Sequence, residues 1–353
     1  MKKLIVIFII FIALFSGCKN EQKFELALIT DIGNIDDKSF NQGSWEGIVQ
    51  YAQENNISYI YYQPTEKSTE SYLKLIDTAV RGGAKVIVTP GFLFNTPVFI
   101  VQDKYPHVCF ILIDGVPHSE DYSTFRTGIN AVGVLYAEDQ AGFLAGYAAV
   151  KDGYRNLGFM GGMALPAVVR FGYGFVQGAE YAAQELGLAP GSILIDYHYT
   201  GHFDATPEVQ EMAASWYNSG IEVIFAAGGS VGNSVMAAAE QAGKFVIGVD
   251  VDQSNQSHTV ITSAMKGLTP SVYECISDYY AERFPGGQTL IFEAANNGVS
   301  LPMATSRFRT FSQADYNSIF SKLADGTIQR FDNLDGDGSP RVVPVRITKV
   351  TER

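Results

Sequence analysis

The sequence is poor in the residues and motifs that mark many enzymes and nucleic-acid-binding proteins. It has 3 cysteines and 5 histidines in 353 residues, and its 37 acidic residues outnumber 25 basic ones. The histidines are scattered, no His-Glu-x-x-His motif occurs and no cysteine spacing fits a zinc site. A Walker or dinucleotide glycine motif with basic residues is also absent, which argues against a phosphate site. The acidic balance argues against nucleic acid as a partner.

The N-terminal segment has the pattern of a secretory signal. A basic start is followed by an apolar run over 4–15 and then by Ser16-Gly17-Cys18. The run is shorter than the ~18 apolar residues expected of a spanning helix. The ending resembles a bacterial lipobox with Phe15 at the usual leucine position. We therefore predict a signal peptide over 1–17, lipid on Cys18 and a linker over 18–23, with plain secretion and a free Cys18 thiol as the alternative.

Lipid on Cys18 would hold a folded body at the cell membrane, facing the periplasm or the cell exterior, without a spanning helix. The other two cysteines, Cys109 and Cys275, lie in apolar stretches. Two buried, unpaired thiols fit that setting, and a disulfide between them is the alternative.

Strand and helix patterns alternate along the rest of the chain. Apolar stretches such as VCFILI and EVIFAA fit strands covered on both faces of a sheet. The patterns predict strands over 24–29, 57–62, 85–89, 108–113, 125–130, 156–160, 193–199, 222–226, 245–249, 260–263 and 341–350. They predict helices from Phe40 onward and over 69–81, 96–104, 136–150, 166–186, 207–218, 230–242, 269–283 and 312–323. This alternation is typical of an α/β fold with parallel sheets flanked by helices.

The strands form two series of similar size, which predicts two lobes with a hinged cleft between them. We expect lobe 1 to hold residues 24–132 and about 264–310. Lobe 2 and the hinge would hold residues 133–263 and about 311–353. Two domains of this size are ordinary for a chain of this length.

The first predicted strand leads into a polar loop that reads TDIGNIDDKSFN over 30–41. Ligands of open α/β sheets bind beyond the carboxyl ends of the strands, so this loop lies at the expected ligand position. Ser39 is the expected N-cap of the following helix. The loop presents three carboxylates, an aromatic ring and an amide: Asp31, Asp36, Asp37, Phe40 and Asn41.

Other strand ends carry similar chemistry. Asp114 and Asp250 each follow a predicted strand, Gly228-Gly229 follows another, and Lys266 lies near the expected lobe crossing. Carboxylates accept hydrogen bonds from hydroxyl and NH groups, which favours a neutral ligand rich in such donors. Capping and turn formation are the structural alternatives for each aspartate.

Aromatic rings near these loops could stack on a flat ligand. The rings in question are Phe40, Phe171, Phe175 and Phe225. Core packing is the alternative for each of them.

Three stretches together resemble one known family. Residues 30–47 read TDIGNIDDKSFNQGSWEG, residues 225–229 read FAAGG, and residues 247–253 read IGVDVDQ, followed by TSAMK over 262–266. They resemble the motifs of the basic membrane protein family. These are the lipoprotein nucleoside-binding components of bacterial ABC importers, including the purine nucleoside receptor A type. The resemblance implies a type I periplasmic-binding fold, ABC permease and ATPase subunits as partners, and neither catalysis nor a cofactor.

The resemblance also implies roles for individual residues, beginning with lobe 1. Asp31 and Asn41 would contact a purine nucleoside such as guanosine, adenosine or inosine. Phe40 would stack on the base, and Asp114 would hydrogen-bond to the purine edge.

From lobe 2, the resemblance implies that Asp250 and Lys266 hold the ribose hydroxyls and that Gly229 offers a backbone contact. The second stacking ring is placed at Phe225, with Phe171 as the alternative.

Other functions fit parts of the sequence. A sugar or autoinducer receptor could use the same fold, because sugars also lie against aromatic rings and aspartates. A nucleoside-processing enzyme would need the acidic loop over 31–37 to hold a metal ion or a general base. A surface adhesin with a vestigial cleft is the third alternative.

The segment over 332–338 resembles a calcium loop, but Arg346 stands where its closing glutamate belongs, so we interpret it as a solvated turn.

Overall fold

The structure is a computed structural model that describes residues 23–331 and 338–353. The strands are β1 (Leu26–Ile29), β2 (Tyr59–Tyr62), β3 (Val86–Pro90), β4 (Cys109–Ile113), β5 (Ala131–Tyr136), β6 (Asn156–Gly161), β7 (Ile193–Tyr199), β8 (Val223–Ala227), β9 (Phe245–Asp250), β10 (Val260–Lys266), β11 (Thr289–Phe292), β12 (Val299–Ser300) and β13 (Thr348–Glu352). The helices are α1 (Phe40–Asn55), α2 (Thr69–Arg81), α3 (Asn95–Lys104), α4 (Glu138–Lys151), α5 (Pro166–Glu185), α6 (Pro207–Asn218), α7 (Val231–Ala242), α8 (Leu268–Tyr280) and α9 (Gln313–Ala324). The predicted signal peptide, Cys18 and the segment over 332–337 lie outside the described residues.

The first sheet forms lobe 1 and has the strand order β11-β5-β4-β3-β1-β2, with parallel pairing throughout. Its strands are apolar at successive positions because both faces are covered. In β1, Leu26 and Leu28 pack on the side of α1 and α8, while Ala27 and Ile29 pack on the side of α2 and α3.

The second sheet forms lobe 2 and has the order β12-β10-β9-β8-β6-β7-β13. Its pairs are parallel except for β10 with β12. In β8, Val223 and Phe225 face the layer of α4 and α5, and Ile224 and Ala226 face α6 and α7. The α/β prediction of two parallel sheets flanked by helices is confirmed.

Within residues 23–331 and 338–353, the chain passes between the lobes three times. It crosses at Ala137 after β5, at Gly267 after β10, and over 293–298 between β11 and β12. The predicted boundary at residue 132 falls inside β5, which pairs with β4 in lobe 1 as far as Ile113 with Val134. Among the residues predicted for lobe 1 over about 264–310, those of β10 and β12 pair with each other in the second sheet.

Two predicted strands differ from the structure. Residues 125–130 are not a strand, since the Asn130 side chain donates to the carbonyls of Gln102, Tyr105 and Val108 and anchors a turn before β5. The predicted strand over 341–350 is replaced by a 3₁₀ turn at Pro340–Val342 followed later by β13. The short strands β11 and β12 had no clear sequence pattern.

Helices α4 and α5 pack with their backbones unusually close, because glycines line the contact. A Cβ atom at Gly142 would collide with the carbonyl of Phe171, and one at Gly146 with the carbonyl of Phe175. In the same way, a Cβ atom at Gly174 or Gly178 of α5 would collide with a backbone carbonyl of α4. This close contact fixes the N-terminal ends of both helices beside the cleft.

Cys109 and Cys275 are both free thiols, as predicted, but only Cys275 is fully buried and Cys109 is partly exposed. Within the described residues, no helix has the length and apolar character needed to span a bilayer.

Candidate functional site

A cavity lies between the lobes, beyond the carboxyl ends of the strands in both sheets. Its volume, counting the open mouth, is about 810 Å³. Small-molecule sites commonly have this position. Seven of the eight predicted ligand-binding residues line it: Asp31, Phe40, Asn41, Asp114, Gly229, Asp250 and Lys266.

Phe225 does not line the cavity, so the predicted stacking of its ring on a ligand is corrected here. Its side chain is fully buried and packs on Phe159, Phe171 and Phe175, with ring centroids 5.3–5.8 Å away. Successive side chains of a strand point to opposite faces of the sheet, and this places Phe225 on the face that α4 and α5 cover. The alternative ring, Phe171, does line the cavity.

The loop before α1 is held by Asp37. This carboxylate accepts hydrogen bonds from the backbone N–H groups of Ser39 (2.8 Å), Asn41 (2.9 Å) and Gln42 (3.1 Å). Burial nevertheless raises the pKa of Asp37 to about 6. Ser39 occupies the N-cap position, but its hydroxyl donates to Asp250 Oδ2 across the cleft at 2.6 Å, so the capping role predicted for it belongs to Asp37.

Asn41 has a fixed amide orientation. Its Nδ2 donates to Asp31 Oδ1 and to Asp37 Oδ2, both at 3.1 Å. The opposite orientation would place an oxygen against two carboxylates. Asn41 Oδ1 is buried and has no hydrogen-bond partner in the described part of the chain. It is therefore an acceptor available to a ligand.

Lys266 is the centre of a buried charge cluster. Its Nζ lies 2.6 Å from Asp114 Oδ2, 3.5 Å from Asp250 Oδ1 and 3.6 Å from Glu138 Oε1. Burial opposes the ammonium form, but the three carboxylates raise the pKa of Lys266 above its usual value. Asp114 belongs to lobe 1 and Asp250 to lobe 2, so the lysine joins the two sides of the cleft.

Asp114 and Asp250 share an uncommon backbone conformation. Their φ angles are 57° and 67°, in the left-handed region where aspartate and asparagine are more common than most residues. Burial raises the pKa of Asp114 to about 7, although Lys266 lowers it. Asp114 Oδ1 is buried without a hydrogen-bond partner among the described residues, so it can accept a bond from a ligand.

Glu138, the first residue of α4, was missed by sequence reasoning. Its carboxylate is fully buried, with Oε2 bonded to Arg170 Nε of α5 at 2.7 Å and Oε1 facing Lys266. Burial alone would raise its pKa, but the charges of Arg170 and Lys266 hold the pKa below the usual value. An acidic pair at the start of an otherwise apolar helix was the available signal.

Four aromatic rings from the described part of the chain line the cavity. Phe40 and Phe92 come from lobe 1, and Phe171 and Phe203 come from lobe 2. Lys266 Nζ lies 4.6 Å from the Phe40 ring centroid and 5.5 Å from that of Phe171. Phe92 and Phe203 lie in irregular or 3₁₀ segments, where no hydrophobic period marks them as functional.

The loop after β8 brings backbone close to the cavity. Gly229 has a φ of 57°, and a Cβ at Gly228 would lie 2.7 Å from the backbone nitrogen of Gly162. The sequence over 228–232, GGSVG, has the Gly-x-Ser-x-Gly spacing of a hydrolase nucleophile elbow. Ser230, however, has helical dihedral angles and no histidine or carboxylate bonded to it in the described ranges, unlike an activated nucleophile.

The described ranges hold no group of three or more His, Cys, Asp or Glu side chains placed to bind a metal ion. The acidic loop over 31–37 instead uses Asp31 and Asp37 to bind backbone N–H groups and Asn41.

Comparison with known proteins identifies the family. Residues 24–330 match the model of the Bmp family, described as PnrA-like ABC transporter substrate-binding proteins. The chain belongs to this family.

Relatives of known name support the same assignment. The ABC transporter nucleoside-binding protein BmpA of Lactococcus lactis subsp. cremoris is 29% identical over 321 residues, which cover 83% of this chain and 87% of the relative. Basic membrane protein A2 of Borrelia garinii subsp. bavariensis is 30% identical over 299 residues, covering 82% and 84%. The protein is therefore an ABC transporter substrate-binding protein, a class that binds a small molecule and works with permease and ATPase subunits.

The fold also matches a solved structure. A solute-binding protein of an ABC transporter system from Aeropyrum pernix K1 superposes with a TM-score of 0.77 at 22% identity, covering 89% of this chain and 95% of that one. The predicted family and the periplasmic-binding fold are both confirmed.

Proposed function

We propose that the protein binds purine nucleosides, among them guanosine, adenosine and inosine, in the interlobe cavity and delivers them to an ABC permease. The observation that carries this proposal is the combination of aromatic rings from both lobes with a ring of hydrogen-bond acceptors. Phe40 is the stacking ring from lobe 1. The nucleoside-binding name of the Lactococcus relative supports the ligand class.

The polar groups of the cavity divide into two sets, and in the second of them Lys266 is a donor and the carboxylates are acceptors. Asp31 and Asn41 lie together at the start of α1 and would contact the ligand from lobe 1. Asp114, Asp250 and Lys266 form the second set, in which Asp114 would bond to the base edge and the other two would hold ribose hydroxyls. Gly229 adds a backbone contact from lobe 2. A neutral ligand rich in N–H and O–H donors suits this surface better than a phosphorylated one.

Calorimetric titration of guanosine, adenosine, inosine, uridine, ribose and free adenine tests the proposal. We expect one-to-one binding of the purine nucleosides and no release of free base. Phe40→Ala and Asp250→Asn should each weaken binding by tenfold or more, since base stacking alone is worth about 1–3 kcal/mol. Phe125→Ala removes an exposed ring outside the cavity and is the matched control.

Other results would assign another function. Binding of ribose with no gain from the base would indicate a sugar receptor. Slow release of free base would indicate an enzyme. No binding of any of these compounds would contradict the proposal.

We also propose that the protein is a lipoprotein, cleaved before Cys18 and anchored at the cell membrane with its lobes facing the periplasm or the exterior. The basic and apolar start of the chain and the Ser16-Gly17-Cys18 ending support this. Membrane fractionation with mass spectrometry of the mature N-terminus tests it. Cys18→Ser should leave the chain unlipidated, and an unmodified Cys18 in the membrane fraction of the parent would contradict the proposal.

A further inference from the structure

The three carboxylates around Lys266 differ in their access to a ligand. Asp114 and Asp250 line the cavity, so a ligand can bond to both of them. Glu138 has no exposed surface and is not part of the cavity wall. Any effect of Glu138 on a ligand must therefore act through Lys266, whose Nζ lies 3.6 Å from Glu138 Oε1.

The orientation of Glu138 is set by helix packing. Arg170 Nε holds Oε2 at 2.7 Å, and this leaves Oε1 directed at the lysine with no hydrogen bond of its own in the described chain. Glu138 and Arg170 are near the N-terminal ends of α4 and α5, which are held together by the close glycine contacts. A rigid pair of helices thus presents one carboxylate oxygen to Lys266.

A buried carboxylate oxygen without a hydrogen bond is unfavourable unless a charge compensates for it. Here the compensating charge is the ammonium of Lys266. Ligand donors that engage Asp114 and Asp250 weaken the hold of those two groups on the lysine, because their lone pairs are then shared. Glu138 is out of reach of the ligand, so its interaction with the lysine persists when the cavity is filled.

We propose that Glu138, oriented by Arg170, is a positioning residue that keeps Lys266 charged and directed into the cavity when a ligand engages Asp114 and Asp250. For the nucleoside this inference rests on the proposed function, but the effect on the lysine does not. The groups that face Glu138 are Arg170 on α5 and Lys266 at the end of β10. Asp114 and Asp250 act on it through the lysine.

The first experiment needs no ligand. In the full chain with ¹⁵N-labelled lysine, the Lys266 ammonium signal is assigned by its loss in Lys266→Met, and its hydrogen exchange with water is measured. Exchange proceeds through the deprotonated amine, so a pKa that falls by one raises the rate about tenfold. We expect at least that acceleration in Glu138→Gln, which keeps the side-chain volume but removes the charge. Glu138→Asp keeps the charge and should restore much of the protection.

Asp139→Asn is the matched control. Asp139 is the next residue of α4, is also buried, and pairs with Arg330 instead of the lysine. It should leave the exchange of Lys266 unchanged. Equal acceleration in Asp139→Asn and Glu138→Gln would mean general damage to α4 and would overturn the proposal. Unchanged exchange in Glu138→Gln would overturn it as well.

The second experiment is guanosine calorimetry on the same variants. We expect Glu138→Gln to bind about tenfold more weakly, Glu138→Asp to recover part of the loss, and Asp139→Asn to match the parent. Affinity within twofold of the parent in Glu138→Gln would show that Asp114 and Asp250 position the lysine alone, and would overturn the proposal. If the parent chain binds no nucleoside, the proposed function fails while the exchange measurement still decides the role of Glu138.

Discussion

Asp114 is a cavity residue whose charge is sensitive to pH near neutrality. Burial raises its pKa to about 7, so in the free protein it takes up a proton as the pH falls below that value. A ligand N–H or O–H group that donates to the carboxylate favours the ionised form and releases this proton. Ligand affinity should therefore rise with pH up to about 7 and then level off.

The measurement is guanosine affinity between pH 5.5 and 8. We expect up to about a tenfold loss for each pH unit below 7, because binding then displaces one proton. Asp114→Asn should bind more weakly and lose most of the pH dependence, and its side chain tolerates the left-handed backbone at this position. An unchanged pH profile in Asp114→Asn would assign the dependence to Asp31 or Asp37, the other cavity carboxylates whose pKa burial raises.

For the second stacking ring, we predict Phe203 in preference to Phe171. The ammonium of Lys266 already lies close to the rings of Phe40 and Phe171, which leaves less room for a base between those two. Phe171 also packs edge-on against Phe225 in the core at 5.8 Å. Phe203→Leu should therefore cost purine nucleosides about tenfold in affinity with little change in melting temperature.

Phe171→Leu provides the comparison. It should lower the melting temperature, because it removes packing from the core of lobe 2, and weaken binding less than Phe203→Leu does. Calorimetry and thermal unfolding of both variants separate the two effects. A larger affinity loss in Phe171→Leu would place the stacking ring there instead.

For single residues, the sequence could predict the cavity residues that directly follow strands. It could not predict the residues whose role depends on contacts between helices or on an irregular loop. Asp31, Asp114 and Asp250 follow apolar runs, so the strand-end rule for α/β sheets places them in the cleft. Phe225 shows the limit, because choosing between core and cleft requires knowing which face of β8 meets α5. Glu138 could not be found without the helix contact that brings Arg170 to it, and Phe203 lies in a loop without a period.

Among the elements, the loop before α1 and the loop after β9 are bonded across the cleft. The carbonyl of Lys38, which has a φ of 56°, accepts the amide groups of Gln253 (2.9 Å) and Gln256 (3.0 Å). Ser39 adds its bond to Asp250. These contacts favour the closed arrangement of the lobes.

Gln256→Ala should therefore weaken ligand binding without touching the cavity. One hydrogen bond contributes about 0.5–1.5 kcal/mol, so we expect a loss of roughly two- to tenfold. Gln241→Ala changes an exposed glutamine on α7 and is the control. Equal affinities for the parent and Gln256→Ala would show that this bond has no part in closure.

A second element-scale prediction concerns Asp152, at the end of α4. Its buried carboxylate Oδ1 accepts the backbone N–H groups of Arg309 (2.7 Å), Thr310 (2.6 Å) and Phe311 (3.0 Å). It thereby ties the segment before α9 to lobe 2. Asp152→Ala leaves three donors without this acceptor and should lower the free energy of unfolding by about 3 kcal/mol.

Urea unfolding of Asp152→Ala, compared with Asp204→Ala at an exposed site, measures this loss. A difference from the parent below about 1 kcal/mol would mean that water replaces the carboxylate at no great cost.

The elements themselves were largely predictable from period and turn residues. The strand over Ile193–Tyr199 and the helix over Pro207–Asn218 have the bounds that the sequence predicts. Residues 125–130 were predicted wrongly because their two large apolar side chains, Phe125 and Ile129, are exposed in a loop instead of buried in a sheet. The bonds from Asn130 to three carbonyls that hold this loop cannot be seen in the sequence. The strands β11 and β12 depend on partners far away in sequence and have little pattern of their own.

For the whole molecule, the cleft predicts that ligand binding changes the relative position of the lobes. Residues from both lobes contact the same cavity, so a ligand binds the closed arrangement more tightly than an open one. Small-angle X-ray scattering should show a smaller radius of gyration when guanosine is added. Binding without any change would mean that the free protein is already closed in solution.

The three chain crossings have a consequence for association between copies of the protein. Many proteins form dimers by exchanging a domain that a single linker connects to the rest. Here the exchange of a whole lobe would require three connecting segments, at Ala137, Gly267 and 293–298, to pass from one copy to the other at the same time. The fold thus closes the simplest route to a domain-swapped dimer, while the same three segments still permit the lobes to rotate about their shared hinge.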